Sequence, residues 1–132
     1  MAARRRPESA ATIACRIAED VRTLNHVTLP VDGYPGLEYP ADVYTVLAGL
    51  GAALASLPQA LSQLTRFLHA QARRPELYDT GSRFAGRPAD AVAAASRALA
   101  AADQPLRLAA TLLDQAQQDV AGLGIHDMTP GR

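Results

Sequence analysis

From residue 43 to residue 68 an apolar residue recurs at spacings of four and three without a miss: Val43, Leu47, Leu50, Leu54, Leu57, Leu61, Leu64 and Leu68. Residues so spaced fall on one stripe of an α-helix, and a sustained heptad makes that stripe a seam against another helix. A second seam occupies the last third of the chain. Val92, Leu99, Leu106, Leu113 and Val120 recur every seven residues, and Ala95, Ala102, Ala109 and Ala116 recur every seven between them. Alanine at alternate seam positions lets two backbones approach more closely than leucine would. The alanine-bearing helix therefore calls for a close neighbour, and the leucine-rich helix before it supplies one. Two such seams restrict the chain to helices packed on helices.

Proline and glycine punctuate these segments. Pro40 or Ala41 opens the first, with Asp42 in the first turn where a carboxylate favours the positive end of the helix dipole; the helix is expected over about 41–73. A second Pro-Ala-Asp, Pro88 to Asp90, opens a helix expected over about 88–121 and ended by Gly122 and Gly124. Pro58 and Pro105 stand seventeen and sixteen residues after the alanine of each triplet. Proline removes a backbone donor from a helix interior. The heptad register continues across Pro58, so a kink near Leu54–Pro58 is expected rather than two separate helices. The repeated layout fits an old duplication or a coincidence in an Ala/Leu-rich sequence. Upstream, Ser9 suits an N-cap for a helix to about Asn25, on which Ile13, Ile17, Val21 and Leu24 form one stripe. The connector "HVTLPVDGYPGLEYP" is rich in turn residues but carries Val27, Leu29, Val31, Tyr34, Leu37 and Tyr39, so it is expected to lie against the helices. The predicted fold is all-α: a long antiparallel helical hairpin with a shorter N-terminal helix packed on it, as a three-helix bundle or as a four-helix core in a dimer. Residues 1–8 read as a flexible basic tail, 9–124 as one helical domain and 125–132 as a flexible C-terminal tail.

Composition sets further bounds. The chain has 132 residues, 48% hydrophobic, with a formal net charge of zero, which suits one globular domain. Aromatics are 5% with no Trp, so any core is aliphatic and alanine-based. All thirteen basic residues are Arg, which reads as the codon usage of a GC-rich bacterial genome. The single Cys15 cannot form an intramolecular disulfide, and its helical setting marks it as a small buried hydrophobe. His26, His69 and His126 are dispersed, and none has a second His or a carboxylate at i+3 or i+4 suited to zinc. Glu8, Glu19, Glu38 and Glu76 all fall outside the two long helices, which argues against a di-iron bundle. No phosphate-binding loop or nucleophile elbow is present; Gly49 and Gly51 lie inside a helix, where they permit close approach or bending. These readings imply no enzyme, no metal and no cofactor. The apolar run behind the N-terminal arginines is broken by Arg16, Glu19 and Asp20, so no secretory signal is read and a cytoplasmic protein is expected.

Surfaces carry the functional expectation. No charge occurs from Val43 to Thr65, a 23-residue span long enough to cross a bilayer, and Arg66, Arg73 and Arg74 follow it. Ser56, Gln59, Ser62, Gln63 and Thr65 make its second half mildly polar, and the seam has a matching partner helix. A helix buried on more than one side is the stronger reading, and a membrane role the weaker. The leading expectation is a non-catalytic helical interaction module, an adaptor, small regulator or assembly component. It would act through Leu47, Leu50, Leu54, Leu57, Leu61 and Leu64, by self-association as a homodimer or with a helical protein partner. The alternative is a nucleic-acid-associated regulator using Arg4, Arg5 and Arg6 of the tail and Arg73, Arg74, Arg83 and Arg87 of the interhelical turn, interleaved with Tyr78 and Phe84. Against it stand the neutral overall charge and the nearby Glu76 and Asp79.

The segment "SRFAGRPADAVAAASRALAAADQPLRLAATLLDQAQQDVAGLG" resembles small Ala/Arg-rich helical proteins of unassigned function from actinomycete genomes. The resemblance covers roughly the last third of the chain and lies in composition and helix style. It implies a source and an accessory role, and carries no functional residue over. A likeness to the helical-hairpin secreted proteins of the WXG type stops at the hairpin, because the chain has no Trp and its turn is long.

Overall fold

The computed structural model describes residues 6–126, and among them every regular element is helical. Helix α1 spans Ala10–Val27, α2 spans Pro40–Ala72 and α3 spans Pro88–Val120. The chain forms two compact units, one of residues through Asp42 together with those from Gly124 onward, the other Val43–Leu123.

In the first unit, α1 begins where Ser9 places its hydroxyl to accept the Thr12 backbone N–H at 3.1 Å, an N-cap satisfying one of the orphan donors of the first turn. The Arg16 guanidinium grips the Glu8 carboxylate at 2.5 and 3.1 Å, just ahead of the cap. No residue of α1 is buried, and Ile13, Ile17 and Val21 are exposed. Cys15 is exposed as well, which corrects the buried position expected for it. Its stretch is helical as read, but no side chain of that helix is covered enough to make a core.

The connector is ordered by its own backbone rather than by apolar packing. After a 3₁₀ turn at Pro30–Asp32, Gly33 and Tyr34 take positive φ values of 72° and 55°. The chain then turns back so that the Gly36 N–H meets the Val27 carbonyl at 2.6 Å. A Cβ at Gly36 would sit 2.7 Å from the Val27 Cγ2, so only glycine fits this approach. Val31, 85% exposed, points outward with Tyr34 and Tyr39. The expectation that the connector's apolar side chains are covered is therefore corrected for Leu29, Val31, Tyr34 and Tyr39, while Val27 and Leu37 are half-buried.

Helices α2 and α3 are equal in length at 33 residues and pack as the antiparallel hairpin expected from the two seams. At the start of α2 the Asp42 carboxylate accepts the backbone N–H groups of Glu38 and Tyr39 at 2.7 and 2.8 Å, the backward-reaching half of a capping box. Those bonds, Tyr39's first, hold its carboxyl below the usual carboxylate range. Asp90 occupies the corresponding place in α3 and has the Arg87 guanidinium 3.5 Å away. Both helices run unbroken through their interior prolines.

Two cross-helix points give the register. Gly51 lies opposite Leu113, where a Cβ on the glycine would come within 3.8 Å of the leucine Cβ. Nearer the turn, His69 Nε2 and Ser96 Oγ are 3.0 Å apart. The Ser96 hydroxyl also lies 2.8 Å from the Val92 carbonyl, so it links the two helices and its own helical turn. Counting along both helices from these points brings Pro58 alongside Leu106 and next to Pro105. Every seam position of α3 from Val92 to Val120 is half-buried or buried, as are Leu47, Leu50, Leu54, Leu57 and Leu61 of α2. Among the described residues only Pro58 and Val92 are buried, as a pair of helices offers a single seam.

Two glycines separate close approach from spare room. At Gly51 the added methyl meets ordinary van der Waals contact in a helix interior, so Gly51→Ala should raise stability by about 0.5–1 kcal/mol. Gly36→Ala must displace Val27 and should lower the thermal midpoint; calorimetry on both variants checks the opposite signs. Asp42→Ala should also lower the midpoint. Because the carboxyl of Asp42 is held below its usual value when folded, its contribution is complete above the unfolded value of about 3.9 and fades as pH falls through the lower, folded one. The gap between wild type and Asp42→Ala should therefore be widest near neutral pH and close in acid, which melting curves across that range will read.

Candidate interaction surface

A two-helix hairpin has one seam and two outer faces, and here the faces differ in chemistry. Residues on one side of both seams line open grooves between the helices. These hold Pro58, Ser62 and Thr65 of α2 opposite Ser96 and Asp103 of α3, and farther on Ala48 and Ala52 opposite Asp114 and Gln117. Gln59, Gln63 and Arg66 border Asp103 and Arg107 on the same side. Arg107 Nε lies 2.8 Å from the Asp103 carboxylate, whose hydrogen bond and charge raise the guanidinium above its usual value. This face is polar and its best-formed ion pair is satisfied within α3.

The opposite face is apolar. On α2 the helical repeat aligns Val46, Leu50, Ala53, Leu57, Ala60 and Leu64, with Phe67 beside them. On α3 it aligns Ala94, Ala98, Ala101, Pro105, Leu108 and Leu112. Since the helices are antiparallel, residues offset in the same rotational sense from each seam come out on the same side, so these two rows share a face. The large side chains on it stay in solvent: Leu64 is 48% exposed, Phe67 61%, Leu108 60% and Leu112 54%. No charged residue interrupts either row over these positions. At the α-helical rise and usual helix spacing, the face measures roughly 30 Å by 20 Å, on the order of 600 Å².

Of the interface leucines read from the sequence, Leu47, Leu50, Leu54, Leu57 and Leu61 are half-buried and belong mainly to the packing of α2 on α3, whereas Leu64 is exposed. Phe67, Leu108 and Leu112 were not among the expected residues. The signal for the last two was an i, i+4 pair standing one position before the seam residues Ala109 and Leu113.

The interhelical turn, residues 73–87, is built around Asp79. Its carboxylate accepts the Gly81 N–H at 2.6 Å and its carbonyl accepts the Gly86 N–H at 3.2 Å, while Gly86 supplies a positive φ of 72°. This closure draws Arg83 and Arg87 to Phe84, with guanidinium carbons 4.9 and 5.9 Å from the ring centre. Arg87 also donates to the Arg83 carbonyl at 3.0 Å. Arg74 has Glu76 at 3.7 Å, and Tyr78 stands 79% exposed. The turn thus gathers Arg83, Phe84 and Arg87, and gives Arg74 and Arg87 carboxylate neighbours. Arg6 is exposed in the other unit, and Arg4 and Arg5 lie outside the described residues, as does the C-terminal tail from residue 127.

Among the described residues no three His, Cys, Asp or Glu side chains gather where they could hold a metal. One helix, Pro40–Ala72, is long and apolar enough to cross a membrane by length and composition. Comparison with family models, with curated proteins and with solved structures returns no match for this chain.

Phe84 is the platform on which two guanidiniums rest, so Phe84→Ala should loosen the turn without reaching the seam. Limited trypsin digestion should then cut faster after Arg83 than in the wild type, while the far-UV helical signal stays unchanged.

Proposed function

We propose that the chain is a non-catalytic helical interaction module that offers the apolar face of its hairpin to a helical partner. The supporting observation is the row of large side chains left in solvent, Leu64 and Phe67 on α2 with Leu108 and Leu112 on α3, on a face whose two rows carry no charge and which Arg97 borders. The largest apolar patch of an ordinary monomer is about 300–600 Å² and is often itself functional. An apolar face of about 600 Å² on two neighbouring ridges suits another helix or pair of helices, whose side chains interdigitate with such ridges. The leucine seam supports the reading from behind, because it fixes the two helices that carry the face.

A nucleic-acid role is the second reading, favoured by the grouping of Arg83, Phe84 and Arg87 at the turn. The nearby carboxylates of Glu76 and Asp90 weaken it. The experiment is affinity capture from the source cells with wild type and with Leu64→Asp. The expected result is a defined protein partner, this chain itself or another, that is retained by wild type and lost from the variant. Salt-sensitive DNA or RNA binding abolished by neutralising Arg83 and Arg87 would overturn the reading in favour of the second. Pelleting with lipid vesicles, or substrate turnover lost on replacing Cys15 or a histidine, would overturn it too.

A further inference from the structure

We infer that the occupant of the apolar face is a second copy of this chain, docked face to face about a two-fold axis to give a four-helix core. The inference rests on the reading that this face is the interaction surface, and adds the identity of the partner. It comes from the relief of the face rather than from its apolarity alone. In the register set by Gly51–Leu113 and His69–Ser96, the half near the turn carries bulk on α2, Leu64 and Phe67, and beside it on α3 Ala98 and Ala101, with the exposed Arg97 at their outer edge. In the half away from the turn the pattern reverses. There α3 carries Leu108 and Leu112, and α2 presents Ala53 between the half-buried Leu50 and Leu57. The exposed bulk is therefore disposed along one diagonal of a rectangle, and alanine with half-buried leucine along the other.

A rectangle with that pattern is complementary to itself. A two-fold axis in the plane of the face and parallel to the helices sets α2 of one copy on α3 of the other at the same level, so Leu64 and Phe67 meet Ala98 and Ala101. An in-plane axis across the helices sets α2 on α2 with its ends exchanged, and again the bulky half meets the alanine half. Either closed arrangement matches ridge to hollow, which is what an isologous interface requires of one patch. Charge does not oppose it: neither row carries a charged residue, and Arg97, at the edge of the α3 row, lies at the level of Phe67 rather than of a second arginine. Area does not oppose it either. About 600 Å² per copy lies at the lower end of the range of stable interfaces, which bury about 600–1,000 Å² on each partner.

The test is sedimentation equilibrium of the full-length protein, wild type beside Leu64→Asp, Leu112→Asp and the conservative Leu112→Met. The wild type is expected to sediment as a dimer in the micromolar range. Leu112→Asp and Leu64→Asp should each weaken dimerisation by roughly a hundredfold or more, because each sets a carboxylate from both copies into an apolar contact. Both side chains are exposed in the hairpin, so circular dichroism should report the helices intact, and Leu112→Met should remain dimeric. A wild type that stays monomeric at 100-fold higher concentration overturns the inference, and so does a dimer that survives both aspartates. If the wild type is monomeric yet captures a different protein through Leu64, the second copy is wrong and the interaction module stands. If a dimer forms through this face and no captured partner but itself appears, both stand.

Discussion

The structure depends on one packing relation, the alternation of alanine with larger residues along α3 set against an unbroken row of leucines along α2. Leucine against leucine at every level would hold the helices apart. Alanine at Ala95, Ala102, Ala109 and Ala116 admits the α2 ridge, and Leu99, Leu106 and Leu113 fill the intervening levels. The other features follow from that contact. The capping carboxylate of Asp42 marks where α2 begins, and the His69–Ser96 bond ties the hairpin near its closed end. A pair of helices closed along a single seam has no inside beyond that seam, which is why burial stops at Pro58 and Val92.

That same limit separates what could be read from the sequence from what could not. The two long helices were legible to within a residue or two at each end, because heptad spacing, proline and glycine report on the chain's own backbone. Ser9 was legible as a cap for the same reason, since its hydroxyl acts three residues away. Cys15 and the connector were not. Periodicity reveals that Ile13, Ile17 and Val21 share a stripe but not whether anything covers it, and the turn at Gly36 is held by a backbone bond to Val27 that hydropathy does not encode. The seam leucines drew attention by their regularity, yet regularity marked the residues occupied within the hairpin. The exposed pair Leu108 and Leu112 stood one position aside and became meaningful only once the antiparallel register placed them beside α2.

The turn illustrates the same distinction for charge. Counting arginines from 73 to 87 yields a basic cluster, whereas the geometry sorts them by surroundings. Arg83 and Arg87 lie against an aromatic ring, and Arg74 and Arg87 each have a carboxylate within 4 Å. Exposed pairs of this kind add little to stability. Their effect is to lower the field that a passing polyanion would meet, so the number of arginines overstates the attraction of the turn.

The placement of Pro58 beside Pro105 bears on how the hairpin flexes. Each proline deprives the carbonyl four residues earlier, Leu54 on α2 and Ala101 on α3, of its usual helical donor. Had the two gaps fallen at different heights, each helix would splint the other across its weak point. Standing together, they leave one cross-section where neither ladder is complete. Bending stiffness along the rod is lowest there, and a bend at that height carries both strands of the hairpin in the same sense without sliding one past the other. The molecule behaves mechanically as two stiff arms joined at a common waist.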